Sequence, residues 1–215
     1  MIIAIDGPAA SGKGTLARGL AAALGFAHLD TGMIYRAVAA RVLATGEDPH
    51  DAAAALRAAQ ALEAADLRRG DLRRQEVGQG ASVVAAIPEV RAALLGFQRD
   101  FAAQPPDGRA GAVLDGRDVG TVVCPQAEVK FFVMASPEVR ARRRHKELLD
   151  GGGKSIYARV LQEVRDRDAR DSGREAAPLR PAEDAIVLDT TELSAEAALA
   201  AALAHIRSRH SAPAP

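Results

Sequence analysis

A chain of 215 residues, 48% hydrophobic and 26% charged, carries enough apolar material for one sizeable core, which excludes disorder as its main state. Lys and Arg number 28, as do Asp and Glu, so the net charge is zero and nothing in the bulk charge recruits nucleic acid. The single cysteine, Cys124, rules out an internal disulfide and favours a reducing compartment. The apolar start, Met1 to Ile5, is too short for a signal-peptide core or a membrane span, so the expected location is the cytoplasm, with no membrane partner. The five histidines show no ligand spacing, which counts against a transition-metal site. Neutrality is not local, however: from Glu138 to Arg174, 11 basic residues stand against 7 acidic ones.

The β-branched run Ile2 to Asp6 predicts a strand, and the helical spacing of Thr15 to Leu24 predicts a helix after a Gly-rich turn. Gly25 stops that helix as a left-handed cap, and Phe26 to Asp30 reads as a second strand ending in a carboxylate. Met33 to Leu43 reads as helix, and so does the alanine-rich stretch Asp51 to Leu67. The polar segment Arg68 to Gln79, with Gly70 and Gly78, reads as a break before a helix from Pro88 toward Phe101. After a turn at Pro105 to Gly108 come strand candidates Gly111 to Asp115, Val129 to Met134 and Ala185 to Asp189. Charged helices are expected over Glu138 to Asp150 and Ser155 to Asp171, separated by Gly151 to Gly153, and Ser194 caps a final helix before a disordered tail at 211–215. Five strands alternating with helices predict an α/β fold with a parallel sheet covered on both faces.

Gly7-Pro8-Ala9-Ala10-Ser11-Gly12-Lys13-Gly14-Thr15 lies between the first strand and the first helix, the setting in which a Gly-x-x-x-x-Gly-Lys loop binds phosphate. Its glycines let successive N–H groups point inward, the helix N-terminus adds partial positive charge, and Lys13 reaches the β and γ phosphates of a triphosphate. The usual Ser or Thr directly after the lysine is replaced by Gly14, with Thr15 following, which weakens direct Mg²⁺ ligation by that hydroxyl. Asp115, at the end of the third strand, stands where a carboxylate holds Mg²⁺ or its waters.

A phosphate loop alone fits kinases, ATPases and GTP-driven switches. No Asn-Lys-x-Asp guanine-reading motif occurs, which counts against a GTPase switch. Arginines recur at loop and helix ends, at 36, 117, 167, 170 and 174, as needed to hold two phosphorylated molecules together. The Gly151 to Gly153 hinge beside the basic segment suits a lid that closes to exclude water. Within the run Arg140 to Arg144 most side chains are expected on a solvated face, and Tyr35 and Phe101 are read as core rather than as base-stacking residues.

Four ordered motifs then resemble the bacterial cytidylate kinases, of the nucleoside monophosphate kinase group: Ile-Asp-Gly-Pro-Ala-Ala-Ser-Gly-Lys-Gly-Thr at 5–15, Leu-Asp-Thr-Gly-Met-Ile-Tyr-Arg at 29–36, Asp-Gly-Arg-Asp-Val-Gly-Thr-Val-Val at 115–123 and Arg-Asp-Ala-Arg-Asp at 167–171. The resemblance implies a P-loop three-layer α/β/α fold with a five-stranded parallel sheet, a helical lid, and transfer of the ATP γ-phosphoryl group to CMP or dCMP with Mg²⁺. It implies that Thr31, Ser82, Arg91 and Asp118 read the cytosine, and that Arg36, Arg117 and Arg174 hold the acceptor phosphate. Arg167 and Asp171 resemble the residues near the ribose hydroxyls, Arg170 the lid arginine that meets the transferring group, and Arg143 the arginine packed on the ATP adenine. Lys13, Arg117, Arg170 and Arg174 are thus the expected catalytic set, residues 7–15 with Arg143 the ATP site, and Thr15 with Asp115 the metal ligands, directly or through water. One domain over 1–210 is expected, with a core at 1–30, 108–136 and 183–210, a monophosphate-binding segment at 31–107 and a lid at 150–176, acting as a monomer. Family members commonly carry an insert of several short strands where only Asp66 to Arg74 stands here, which implies a base pocket less enclosed on one side. A kinase for UMP or another small acceptor, or a nucleotide-binding regulatory module, remains open at this point.

Overall fold

In the computed structural model, which describes residues 1–63 and 65–211, five parallel strands form one sheet in the order β2-β3-β1-β4-β5. They are β1 (Ile2–Asp6), β2 (Ala27–Asp30), β3 (Ala112–Gly116), β4 (Val129–Met134) and β5 (Ile186–Asp189). Alternation along β1 explains the layering. Ile3 and Ile5 pack with Leu16, Leu20 and Ile206, from α1 (Lys13–Leu24) and α8 (Ala195–Ser211), on one face. Ala4 packs on the other face, against α2 (Thr31–Ala44), α4 (Gln75–Val84) and α5 (Pro88–Ala103). A strand buried on both faces must be apolar at nearly every position, and each fully buried Ile or Leu contributes about 1.5–3 kcal/mol. The parallel register sets Asp6 beside Gly116 and Asp30 beside Asp115, so the carboxyl ends of β1, β2 and β3 deliver three carboxylates to one edge.

Most expected elements occur within a residue or two of their predicted bounds, and Gly25 does cap α1 at φ 68°. Three regions differ. The alanine-rich helix, α3 (Ala52–Gln60), ends at Gln60 rather than Leu67, because the Asp66 carboxylate accepts from the Glu63 N–H at 3.0 Å and folds 66–68 into a short 3₁₀ turn. Residues 75–79, read as part of a break, instead open α4. Its glycines serve close packing: a Cβ on Gly78 would lie 2.9 Å from the Arg36 guanidinium, and one on Gly80 would lie 3.2 Å from Ala39. Val119 to Val123 form a single π-helical turn whose start is held by Asp6, which accepts from the N–H groups of Val119 at 2.8 Å and Gly120 at 2.7 Å.

Residues 66–74 are anchored rather than loose. Leu72 is fully buried, its carbonyl accepts from Arg36 at 2.7 Å, and Arg41 pairs with Asp66 at 2.8 Å. The basic segment forms two helices, α6 (Pro137–Asp150) and α7 (Tyr157–Ser172), joined through Gly151 to Gly153 and packed through Ala141, Val160 and Val164. Ser194 accepts from the Ala197 N–H at the start of α8, which runs to Ser211; residues 212–215 of the expected tail lie outside the described residues. Among the described residues no single helix is long and apolar enough to cross a membrane.

Candidate active site

Residues 7–12 leave β1 and wrap into α1 through three left-handed or near-left-handed positions: Gly7 at φ 154°, Ala10 at 59° and Gly12 at 92°. Gly7 is required by space as well, since a Cβ there would sit 2.0 Å from the Val133 carbonyl oxygen. The loop is braced from behind. Thr190, just after β5, donates to the Ser11 carbonyl at 2.8 Å, and Arg143 reaches both that carbonyl at 3.3 Å and the Thr190 carbonyl at 2.7 Å. Arg143 is therefore tied to the loop backbone and lies 3.8 Å from where a Cβ on Gly12 would stand.

Lys13 points into a cavity of about 580 Å³, its Nζ 3.4 Å from the Pro8 carbonyl. Burial, and then the nearby Arg117 charge, pull its pKa down to about 7, against the pull of Asp115 and Asp30. A triphosphate delivered to this position would restore the full charge. Asp115 is buried; His28 Nε2 lies 2.7 Å from Oδ1, while Oδ2 faces the first turn of α1, 3.6 Å from a Cβ placed on Gly14. Thr15 stands apart from the cavity, exposed, with its hydroxyl accepting from Arg18 at 3.3 Å. Thr31 donates to the Asp115 carbonyl at 2.9 Å, and Gly116 is needed there because its Cβ would meet that hydroxyl at 2.4 Å.

Across the cavity, charge replaces backbone as the building material. Arg117 pairs with Asp171 at 2.8 Å, and Ser82 donates to the other carboxylate oxygen of Asp171 at 3.2 Å. Burial alone would raise the Asp171 pKa, but Arg117, Arg167 and Arg174 together hold it at about 2. Arg91 pairs with the buried Asp118 carboxylate, donates to the Ala85 carbonyl at 3.1 Å, and lies over the Tyr35 ring at 5.7 Å. Burial raises the Asp118 pKa, with Arg91, Arg174 and Arg117 opposing. Arg167 reaches the Gly78 carbonyl at 3.4 Å, and Arg174 the Ala85 carbonyl at 3.3 Å. Two of their buried guanidinium nitrogens, Arg167 Nε and Arg174 Nη2, make no hydrogen bond among the described residues but face the Asp171 carboxylate as ion pairs, at 3.7 and 4.0 Å. Desolvation pulls the Arg167 pKa down to about 9, with Arg117 adding to it, and pulls Arg174 down too. Asp171 balances only part of this cationic cluster, so an anion entering the cavity meets a surplus of guanidinium donors.

The cavity thus gathers Lys13, Thr31, Arg36, Ser82, Arg91, Asp115, Arg117, Asp118, Arg167, Arg170, Asp171 and Arg174, while Thr15 and Arg143 lie outside its lining. Arg170 is exposed on its rim. Tyr35 belongs to the core, as expected, yet also lines the cavity; Phe101 packs only against the core. Several working side chains carried no local signal: Asp6, His28, Thr190, Asp168 and Arg140. The expected solvated face holds only for Arg142, which is exposed: Arg140 is almost fully buried, Arg143 is half-buried against the loop, and Arg144 is half-buried in the cavity lining.

The chain is similar to known proteins along nearly its whole length. The family model described as "Cytidylate kinase" matches residues 3–208. A cytidylate kinase of Rhodospirillum rubrum is 64% identical over 203 residues, covering 94% of this chain and 95% of that one. Another, of Paramagnetospirillum magneticum, is 62% identical over 208 residues, covering 97% and 98%. A crystal structure of an uncharacterized protein from Eubacterium ventriosum matches with TM-score 0.55 at 15% identity, covering 97% of this chain and 99% of that one, and shows a shared fold.

Proposed function

Because the chain belongs to the cytidylate kinase family, a group of ATP-dependent phosphoryl-transfer enzymes, we propose that it transfers the γ-phosphoryl group of ATP to CMP or dCMP, giving CDP or dCDP and ADP. The observation that carries this reading is the facing pair of anion sites in one cavity: Lys13 and the loop N–H groups on one wall, and on the other the guanidinium cluster of Arg36, Arg117, Arg167 and Arg174. A regulatory module that only binds ATP has no use for the second wall.

Phosphoryl transfer needs little covalent help, so positioning and charge neutralisation supply the rate. Gly7 to Thr15 and Lys13 hold the donor phosphates, while Arg36, Arg117 and Arg174 hold the acceptor phosphate. Arg170, free on the rim, reaches the transferring group as 150–176 closes as a lid over a monophosphate-binding segment at 31–107. Thr31, Ser82, Arg91 and Asp118 read the base: the cytosine amino group donates to a carboxylate, and its ring nitrogen and carbonyl accept from hydroxyl and guanidinium donors. Arg167 and Asp171 meet the ribose. Arg143 contributes to the ATP site by bracing the loop. The donor set at Asp115 fits a hard, oxygen-preferring cation, with Oδ2 turned toward the loop; Mg²⁺ bound there with ATP would neutralise phosphate oxygens, whereas Thr15, exposed and outside the cavity, is not placed to hold it as expected. The single buried Cys124 supports a reducing cytoplasm.

A coupled ADP-release assay over CMP, dCMP, UMP and AMP tests the reading. Turnover is expected to be highest with CMP and dCMP; preference for UMP would reassign the acceptor, and turnover with none of them would overturn the proposal.

A further inference from the structure

Two α6 arginines grip the phosphate loop on either side of Ala10, the residue held at φ 59°, and they anchor it to different bodies. Arg143 joins the Ser11 carbonyl to Thr190, beside the central sheet. Arg140 joins the Ala9 carbonyl, at 3.3 Å, to α7 through a two-pronged pair with Asp168, whose Oδ1 lies 2.9 Å from Nη1. Its Nε–H donates to the Ala135 carbonyl at 2.9 Å, so four of the five guanidinium donors are committed. Asp168 is the immediate neighbour of Arg167 and precedes Arg170 and Asp171, which line the acceptor wall.

Arg140 side chains do not touch the cavity, and neither does Asp168. Yet they form a continuous connection from the donor loop to the helix that carries the acceptor residues. A bidentate Arg–carboxylate pair has a narrow geometry, so displacement of α7 must either break it or drag the Ala9 carbonyl with it. Losing one partner leaves the other charge short of a counter-ion, which makes the intermediate positions unfavourable.

We infer that Arg140 and Asp168 are positioning residues that couple the two substrate sites: acceptor binding, by seating α7, sets the Ala9–Ala10 backbone for the donor phosphates, and donor binding does the reverse. The inference rests on the reading that ATP and CMP occupy the two walls. Reciprocity requires that each ligand change the affinity of the other by the same factor.

Calorimetric titration of the folded enzyme with a non-hydrolysable ATP analogue and Mg²⁺, with and without saturating CMP, measures that factor directly. The unaltered protein is expected to bind the analogue at least about fivefold more tightly when CMP is present. Asp168→Asn, at the partly exposed end of the pair, is expected to bring the factor close to one, and Arg140→Lys, which keeps the charge but loses the fork, to reduce it as well. Thr190→Val, which loosens the other brace, is expected to weaken analogue binding while leaving the factor unchanged. A factor of one in the unaltered protein, or a factor in Asp168→Asn equal to that of the unaltered protein, overturns the coupling. Failure of the unaltered protein to bind or phosphorylate CMP at all would instead overturn the functional reading, so the two failures are distinct.

Discussion

The two walls of the cavity bind anions by opposite means. The donor wall is mainly backbone: a loop forced into left-handed turns by Gly7, Ala10 and Gly12, with one cation, Lys13, added at the helix start. The acceptor wall is mainly side chains, with Arg91, Arg117, Arg167 and Arg174 set against Asp118 and Asp171, drawn from α5, α7 and the segments after β3 and α7. A backbone cradle suits a phosphate chain that is the same in every turnover. A compensated network of charges suits an acceptor whose base and ribose must also be recognised, because each ion pair already in place can be exchanged for a contact to the ligand.

This contrast can be broken experimentally. The largest effect belongs to the lone donor-side cation: Lys13→Ala is expected to lower kcat by about 10²–10³-fold, measured by ADP release, and near-normal CMP phosphorylation would refute the role given to that wall. Next comes the acceptor-side counter-ion. Asp171→Asn leaves the buried Arg174 and the half-buried Arg117 and Arg167 short of a negative charge and is expected to cost about 3 kcal/mol in urea unfolding without nucleotide. Its carboxyl titrates near 2 in the folded chain, below the unfolded value of 3.8, so its stabilisation is present above pH 4 and disappears as pH falls toward 2. The gap between the unaltered and Asp171→Asn proteins should therefore narrow over that interval; a gap independent of pH would show that Asp171 acts by shape instead. Smaller again, Arg91→Ala is expected to raise the KM for CMP about tenfold and to narrow the preference for CMP over UMP, with kcat less affected. At the bottom of the scale, Arg142→Ala, exposed on α6, should change stability by no more than about 0.5 kcal/mol and leave turnover intact.

The same contrast governs what could be read from residues alone. The donor wall is contiguous, so the strand, the Gly-rich loop and the helix are visible within the first 24 residues and the structure reproduces them closely. The acceptor wall is assembled from positions far apart in the chain, such as Ser82 and Asp171, 89 residues apart, and its residues are recognisable only through motif resemblance. Helix α4 escaped because glycine was read as a helix breaker, whereas Gly78 and Gly80 stand where Arg36, Ala39 and Pro49 press against the helix. Asp6 escaped because its partners, the N–H groups of Val119 and Gly120, lie more than a hundred residues downstream. Burial lifts its pKa to about 7 despite both hydrogen bonds, an environment that no local pattern announces.

Ala10 carries a further consequence. An L-residue held at φ 59° gives up about 1 kcal/mol relative to a relaxed backbone, and glycine would remove that strain. Glycine would also enlarge the set of shapes open to the free loop, whereas alanine, clamped at the carbonyls before and after it, keeps that set small. Much of the ordering entropy is thereby lost during folding rather than at each encounter with nucleotide. An enzyme that must release its product and reload on every cycle gains from having its phosphate cradle ordered once, when the chain folds.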